Sequence, residues 1–225
     1  MAFRIKPAFL SLLVAATACS GASALKVDSF EFQTPVLVIV NTEGLNSAPS
    51  PILWAPGLCL GIKMNEYFSW SPGADFYYDY YSWDAPSGRA LPTEIENRSA
   101  VVLGFIVSSP LRLTVPLGKT IRFELGAGPA FILRATFLAA LSPADVPDAK
   151  PQVPLISGYF YKDFRWFYPE ASLSFMYRLS ATASFGVGGR VLFPLFHAWE
   201  AAARPFADEL MVSAGLFARF VVGSP

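Results

Sequence analysis

From about residue 29 onward the chain alternates between apolar and polar side chains. Between Ile121 and Phe137 one set of alternate positions is Ile121, Phe123, Leu125, Ala127, Pro129, Phe131, Leu133, Ala135 and Phe137. The interleaved set is Arg122, Glu124, Gly126, Gly128, Ala130, Ile132, Arg134 and Thr136. Successive side chains of a strand point to opposite faces, so this pattern predicts a strand with one wholly apolar face and one mixed face. A half-buried strand of a soluble protein alternates in the same way, so the decision rests on several strands together. Val101, Leu103, Phe105 and Val107, continued by Leu111, Leu113 and Val115, oppose Gly104, Ser108, Arg112 and Thr114. Ala171, Leu173, Phe175 and Tyr177 oppose Glu170, Ser172, Ser174 and Arg178. Val212, Ala214, Leu216, Ala218 and Phe220 oppose Ser213, Gly215, Phe217 and Arg219. Each second face is small or charged and suits a narrow polar interior, while each first face suits lipid; this is the pattern of a transmembrane barrel.

Extended along the chain, the pattern predicts eight strands over 29–40, 51–64, 67–82, 99–116, 120–137, 165–178, 181–194 and 209–222. Tight turns fall at Asn65-Glu66, Gly118-Lys119 and Leu179-Ser180, and longer connections near 41–50, 83–98, 138–164 and 195–208. The expected fold class is all-β: a single eight-stranded antiparallel transmembrane β-barrel with up-and-down meander topology. An even strand count brings both ends to the periplasmic side and the long connections to the outside. The first strand is the least regular, because Pro35 interrupts it and Val36 to Val40 blur its alternation. Aromatic clusters at Phe76 to Trp83 and at Tyr159 to Tyr168 sit at segment ends, where amphipathic rings are expected at the membrane–water interface. Pro143, Pro147, Pro151 and Pro154 predict a semi-rigid surface loop over 138–164.

Composition sharpens this picture. Hydrophobic residues make up 53% of the 225 and charged residues 15%, with twenty Phe, nine Tyr and five Trp; mean hydropathy is +0.41. A domain of this size cannot bury so much apolar surface internally. Yet no apolar run of about 18 residues follows the N-terminus; Arg112 and Pro116, or Lys162 to Arg165, interrupt the candidates. Only helices and closed barrels satisfy their backbone within a bilayer, so strands remain as the way across. Residues 1–24 read as an export signal, with Arg4 and Lys6, an apolar core from Phe9 to Ala18, and the small-x-small site Ala22-Ser23-Ala24. A membrane anchor and lipid attachment at Cys19 are the alternatives. The expected mature domain is then 25–225, located in the bacterial outer membrane. It retains 15 of the 17 basic residues and all 17 acidic ones, a net charge of about −2 that gives no reason to expect nucleic acid as a partner. Cleavage also leaves Cys59 alone, which excludes an intrachain disulfide and a cysteine zinc site.

On these residues the chain resembles the small eight-stranded outer-membrane barrels of the OmpA, OmpX and OmpW group, over nearly all of 25–222. The resemblance rests on the export signal, the alternating strands, and short turns opposite long loops. It implies outer-membrane lipid and the barrel-assembly machinery as partners, with host or environmental ligands at the loops. Barrels of this group usually end on an aromatic residue, and Phe220 is expected to serve from an internal position.

The inward faces predict a lumen charge network of Glu31, Lys63, Asp75, Asp79, Arg112, Arg122, Glu124, Arg134, Glu170, Arg178, Arg190 and Arg219. Buried charges need partners, and an eight-stranded interior is just wide enough for side chains to fill. A salt-bridged plug is therefore expected, with an ion pathway as the alternative. Some barrels of this kind are lipid A enzymes that use a His with a Ser and an acidic residue. His197 is the sole histidine and no Ser follows it closely, so no catalytic residue, cofactor or metal site is expected. Gly126-x-Gly128 and Gly186-x-Gly188-Gly189 open no helix and read as close packing of curved strands. Two functions remain: a structural or surface-interaction barrel displaying four loops, or, as the OmpW resemblance implies, a conduit for small hydrophobic molecules with an apolar pocket at Leu53, Ile132 and Leu192.

Overall fold

The computed structural model describes residues 26–42, 49–139, 149–198 and 204–222. The expected export signal and Cys19 lie outside them, as do Pro143 and Pro147. Eight strands form: β1 (Val27–Ile39), β2 (Ile52–Trp54 and Gly57–Lys63), β3 (Phe68–Trp70 and Gly73–Asp84), β4 (Ala100–Ser108 and Leu111–Pro116), β5 (Ile121–Leu138), β6 (Phe167–Arg178), β7 (Ala183–Leu192) and β8 (Met211–Val221). Every strand pairs antiparallel with its neighbours in sequence. β1 pairs with β8 over eleven positions, from Ser29 opposite Val221 to Ile39 opposite Met211, which closes the ring.

The three tight turns have local causes. The Asn65 side-chain oxygen accepts the N–H groups of Tyr67 (2.9 Å) and Phe68 (2.8 Å), an Asx turn. Gly118 takes φ +120°, a conformation L side chains rarely adopt. The Ser180 hydroxyl accepts from the N–H groups of Thr182 (3.2 Å) and Ala183 (3.0 Å).

Three strands expected to be continuous are interrupted at Ala55-Pro56, Ser71-Pro72 and Ser109-Pro110. Proline has no N–H to give the ladder, but its carbonyl still accepts. Phe76 N–H donates to Pro56 (2.9 Å), Leu60 to Pro72 (2.8 Å) and Ser71 to Pro110 (2.9 Å), so the neighbouring strands stay joined. Pro35 is accommodated within β1 because Gly215 lies opposite; a Cβ at Gly215 would stand 2.4 Å from the Pro35 Cα.

Outward positions are apolar around the ring. Phe32, Leu58, Phe105, Leu125, Leu173, Val187 and Leu216 all lie exposed. A continuous belt of this kind is far larger than the apolar patches soluble monomers expose, and it matches a hydrocarbon environment. Among the described residues no helix is long and apolar enough to cross a membrane.

Three further expectations are corrected. The aromatic clusters are not wholly interfacial, because period-two alternation runs through them: Phe76 and Tyr78 face outward, whereas Tyr77 and Tyr81 are buried inside. Tyr159, Phe160 and Tyr168 are buried as well. The connection over 138–164 is not all loop, since it contains helix α1 (Ala149–Tyr161). Pro151 occupies its first turn, where no N–H is needed; Pro154 lies within it. Packing overrides the poor local propensity, for Ile156, Tyr159 and Phe160 of α1 are buried with Tyr81, Ala100 and Val102 of the barrel rim. β3 also outruns its expected end and pairs with a short strand at Arg89–Pro92.

Leu216, midway along β8 and 49% exposed, tests which face meets lipid. Leu216→Arg is expected to destabilise the barrel by about 2–4 kcal/mol, measured by urea unfolding in phospholipid vesicles. An unchanged midpoint would mean that this face does not meet hydrocarbon.

Candidate functional site

The lumen is organised in layers between the periplasmic and external ends. The lowest closed layer is an ion cluster drawn from four strands. Arg219 of β8 donates through Nε (2.9 Å) and Nη2 (2.5 Å) to Glu31 of β1. It also donates through Nη1 (2.5 Å) and Nη2 (2.7 Å) to Glu124 of β5. Arg112 of β4 donates to Glu31 at 3.0 Å and stands 3.9 Å from Glu124. β1 and β5 lie four steps apart in a ring of eight, so the Arg219 fork spans the lumen. Two cations and two anions leave the cluster neutral. Above it the Gln33 amide donates to Asp75, and Arg190 pairs with Asp75 at 2.7 Å and lies 3.7 Å from Glu170. A void of about 30 Å³ remains between the two tiers, bordered by Glu31, Gln33, Glu124, Glu170 and Arg190.

The next layer is apolar. Leu37, Ile39, Ile106, Ile132, Leu192, Phe196 and Met211 pack with Tyr77 and Tyr168, and Leu53 lies against them. Leu53, Ile132 and Leu192 are thus brought together, but among side chains that fill the space; Ile132 is 1% exposed and Leu192 0%. Neither the small void nor the larger periplasmic cavity described below reaches them.

Arg134 crosses from this layer to the external end. Its Nε donates to the Tyr77 hydroxyl (3.1 Å), its Nη1 reaches the Arg165 carbonyl (3.4 Å), and its guanidinium lies 4.6 Å from the Phe160 ring centroid. A desolvated cation over an aromatic face gains from the ring quadrupole. Asp79 is buried on the same inward face of β3 and accepts the Tyr80 N–H at 2.8 Å.

The external end is capped by residues outside the eight strands of the ring. Arg165 lies between the rings of Tyr159 (4.1 Å) and Phe196 (4.5 Å) and pairs with Glu209 at 2.8 Å. Tyr159 donates its hydroxyl to the same carboxylate. Burial, with the Glu209 charge beside it, pushes this phenol above its ordinary pKa, so it remains a donor. Arg89 pairs with Asp208 at 2.8 Å, and Asp208 also accepts from the Thr42 N–H (2.9 Å) and hydroxyl (3.0 Å). His197 donates from Nε2 to the Asp208 carbonyl (2.7 Å), a loop-fastening contact. All four external connections therefore meet in one network. The sequence reading missed Arg89 and Asp208, which lie in the irregular connections, and Arg165 and Glu209, which stand at the first residue of the strands expected over 165–178 and 209–222, where alternation does not yet assign a face.

Lys63, Arg122 and Arg178 face a cavity of about 640 Å³ at the periplasmic end, whose floor is the Arg112–Glu31–Arg219 cluster. All twelve residues read as a lumen charge network are inward-facing, but only seven of them, Glu31, Asp75, Arg112, Glu124, Glu170, Arg190 and Arg219, make up the two ion-paired tiers. Among the described residues no group of three or more His, Cys, Asp or Glu is arranged to hold a metal ion.

This layered, closed barrel defines the class of the molecule: a small eight-stranded β-barrel of the bacterial outer-membrane type. No family model matches the chain, and no curated protein matches it in sequence. Among solved structures it is similar to Neisserial surface protein A, with a TM-score of 0.52 and 8% identity over 86% of this chain and 96% of that one. It is also similar to the outer membrane protein OprG from Pseudomonas aeruginosa, with a TM-score of 0.51 and 11% identity over 88% and 98%. At such identities the likeness is one of fold.

Removing Arg219 leaves Glu31 and Glu124 facing each other with Arg112 alone between them. Arg219→Met is expected to cost about 3–5 kcal/mol in vesicle unfolding, and adding Glu124→Gln is expected to recover part of it. No recovery in the double variant would show that the two side chains do not act as a pair. In the cap, Glu209→Ala removes the shared acceptor of Arg165 and Tyr159. It is expected to raise external protease cleavage of the loops severalfold while the strands stay protected. Cleavage equal to the parent protein's would mean that the network does not hold the cap.

Proposed function

We propose that this protein is a closed, non-catalytic outer-membrane barrel whose role is structural or interactive, exerted through the external loops. The observation that carries the reading is the filling of the lumen: a neutral ion cluster across it, a packed apolar layer above, and a cap fastened by Arg165, Glu209, Arg89 and Asp208. Outer-membrane lipid meets the apolar belt, the barrel-assembly machinery inserts the sheet, and host or environmental ligands meet the loops. The connection containing α1 offers the most surface. Lys150 and Leu155 are exposed on it, and Phe164, at φ 60°, projects beside it with 58% of its surface exposed.

A conduit for small hydrophobic molecules needs open space near Leu53, Ile132 and Leu192. Tyr168, Phe196 and Met211 pack into that region, so the surface role is preferred.

Refolded protein is expected to show the band shift of a folded barrel on unheated gels and no unitary conductance in planar bilayers. Reproducible single-channel steps would overturn the closed-lumen reading.

A further inference from the structure

The two ends of the lumen treat their cations differently. Arg165 and Arg89 at the outer end are paired with carboxylates. At the periplasmic end, the Lys63, Arg122 and Arg178 side chains have no hydrogen bond or ion pair among the described residues. Arg122 lies opposite Met176, so Arg178, two residues further on β6, is its diagonal neighbour on the same inward face. Diagonal positions on paired antiparallel strands are about 7–8 Å apart, within mutual reach of long side chains. The Arg178 charge acts unfavourably on Arg122 across this spacing, and an anion bound between the two would relieve the repulsion. Lys63 enters the same cavity from β2, four steps round the ring from β6.

The other charged groups facing this space offset these three only in part. Glu31, Arg112 and Arg219 form the floor, where they are engaged with one another and with Glu124. Asp28 and Glu66 border the cavity and form no ion pair with the three cations among the described residues, though Asp28 attracts Arg122 through space; with the floor neutral, three cations against two carboxylates leave the vestibule a net charge of about +1. The space, about 640 Å³, lies within the range of small-molecule sites and opens toward the periplasm. Low-dielectric walls around a single excess sign concentrate its field.

We propose that this vestibule is an anion site that takes a phosphate group, held in the fork between Arg122 and Arg178 and closed by Lys63 from the opposite wall. Planar guanidinium groups match phosphate oxygens in pairs. Three cations suit a multiply charged phosphate better than a single carboxylate. The group can belong to a soluble phosphate compound or to a lipid headgroup at the barrel mouth; the recognising chemistry is the same.

The test is calorimetric titration of the folded full-length barrel, in uncharged maltoside micelles, with inorganic pyrophosphate. Saturable binding is expected, weakening as salt is raised. R122Q/R178Q is expected to weaken it at least about tenfold, whereas K150Q on the outer helix leaves it unchanged. The unheated gel shift reports whether each variant is folded, and R178Q alone, at an exposed position, serves if the double variant is not. Displacement of pyrophosphate by short-chain phosphatidylglycerol assigns the site to a headgroup; failure to displace assigns it to a soluble phosphate. No saturable binding by the parent protein, or equal binding by folded R122Q/R178Q or R178Q, overturns the proposal.

Discussion

Within hydrocarbon no water is available to satisfy a backbone N–H or C=O, so a sheet that crosses a membrane must close on itself. Here the closing seam is the ladder between β1 and β8, and every other feature is fitted to it. β1 carries Pro35, which lacks a donor. The Pro35 carbonyl accepts from Ala55 on the β2 side, and the N and C=O of one strand residue point the same way. The missing donor therefore falls on the seam with β2, at the point where β2 is itself interrupted. On the other side Gly215 leaves room for the ring, and pairing with β8 continues through it. A proline that would weaken an internal ladder is thus placed where the ladder already has a gap.

Closure with only eight strands fixes the rest of the interior. The lumen is too narrow for a water-filled channel and wide enough for side chains to meet across it. Once the outer face is committed to lipid, polar groups on the strands have only the interior. Burying each of them alone would be costly, and mutual pairing offsets that cost without making the cluster a strong source of stability. The Arg219 fork shows how the geometry resolves this. One side chain engages a carboxylate on the adjacent strand and another on the far wall, so charge neutrality and strand placement are satisfied together.

Much of this was legible from sequence for one physical reason: period two survives wherever one face meets lipid. The strands, their faces and the inward direction of residues such as Glu124 and Arg190 follow from alternation alone. Partner identity does not, because it depends on how far each strand is staggered around the ring, and no single strand records that. The cap was illegible for a different reason. Arg165, Asp208 and Glu209 are flanked by irregular segments, and α1 contains two prolines that argue against a helix until Ile156, Tyr159 and Phe160 find the rim. The aromatic run Phe76 to Trp83 was misjudged because composition outweighed periodicity. Its alternate rings obey the same rule as the rest of β3, and Tyr77 and Tyr81 turn inward beneath the cap.

The cap and the vestibule give the two ends of the barrel different chemistry. At the outer end, loop residues distant in sequence converge so that each buried carboxylate serves several donors; Glu209 alone engages Arg165 and Tyr159. At the inner end, carboxylates are within the same cavity as Arg122 and Arg178 and yet form no ion pair with them among the described residues. A shortage of acidic residues does not explain the difference, since Asp28 and Glu66 border the space. What differs is solvent access. The outer cations are sealed and had to be neutralised by the chain itself, whereas the inner ones face the periplasm and can be left for an anion from outside. The contacts inside this barrel are thus divided between a fastened external cap and an open internal mouth.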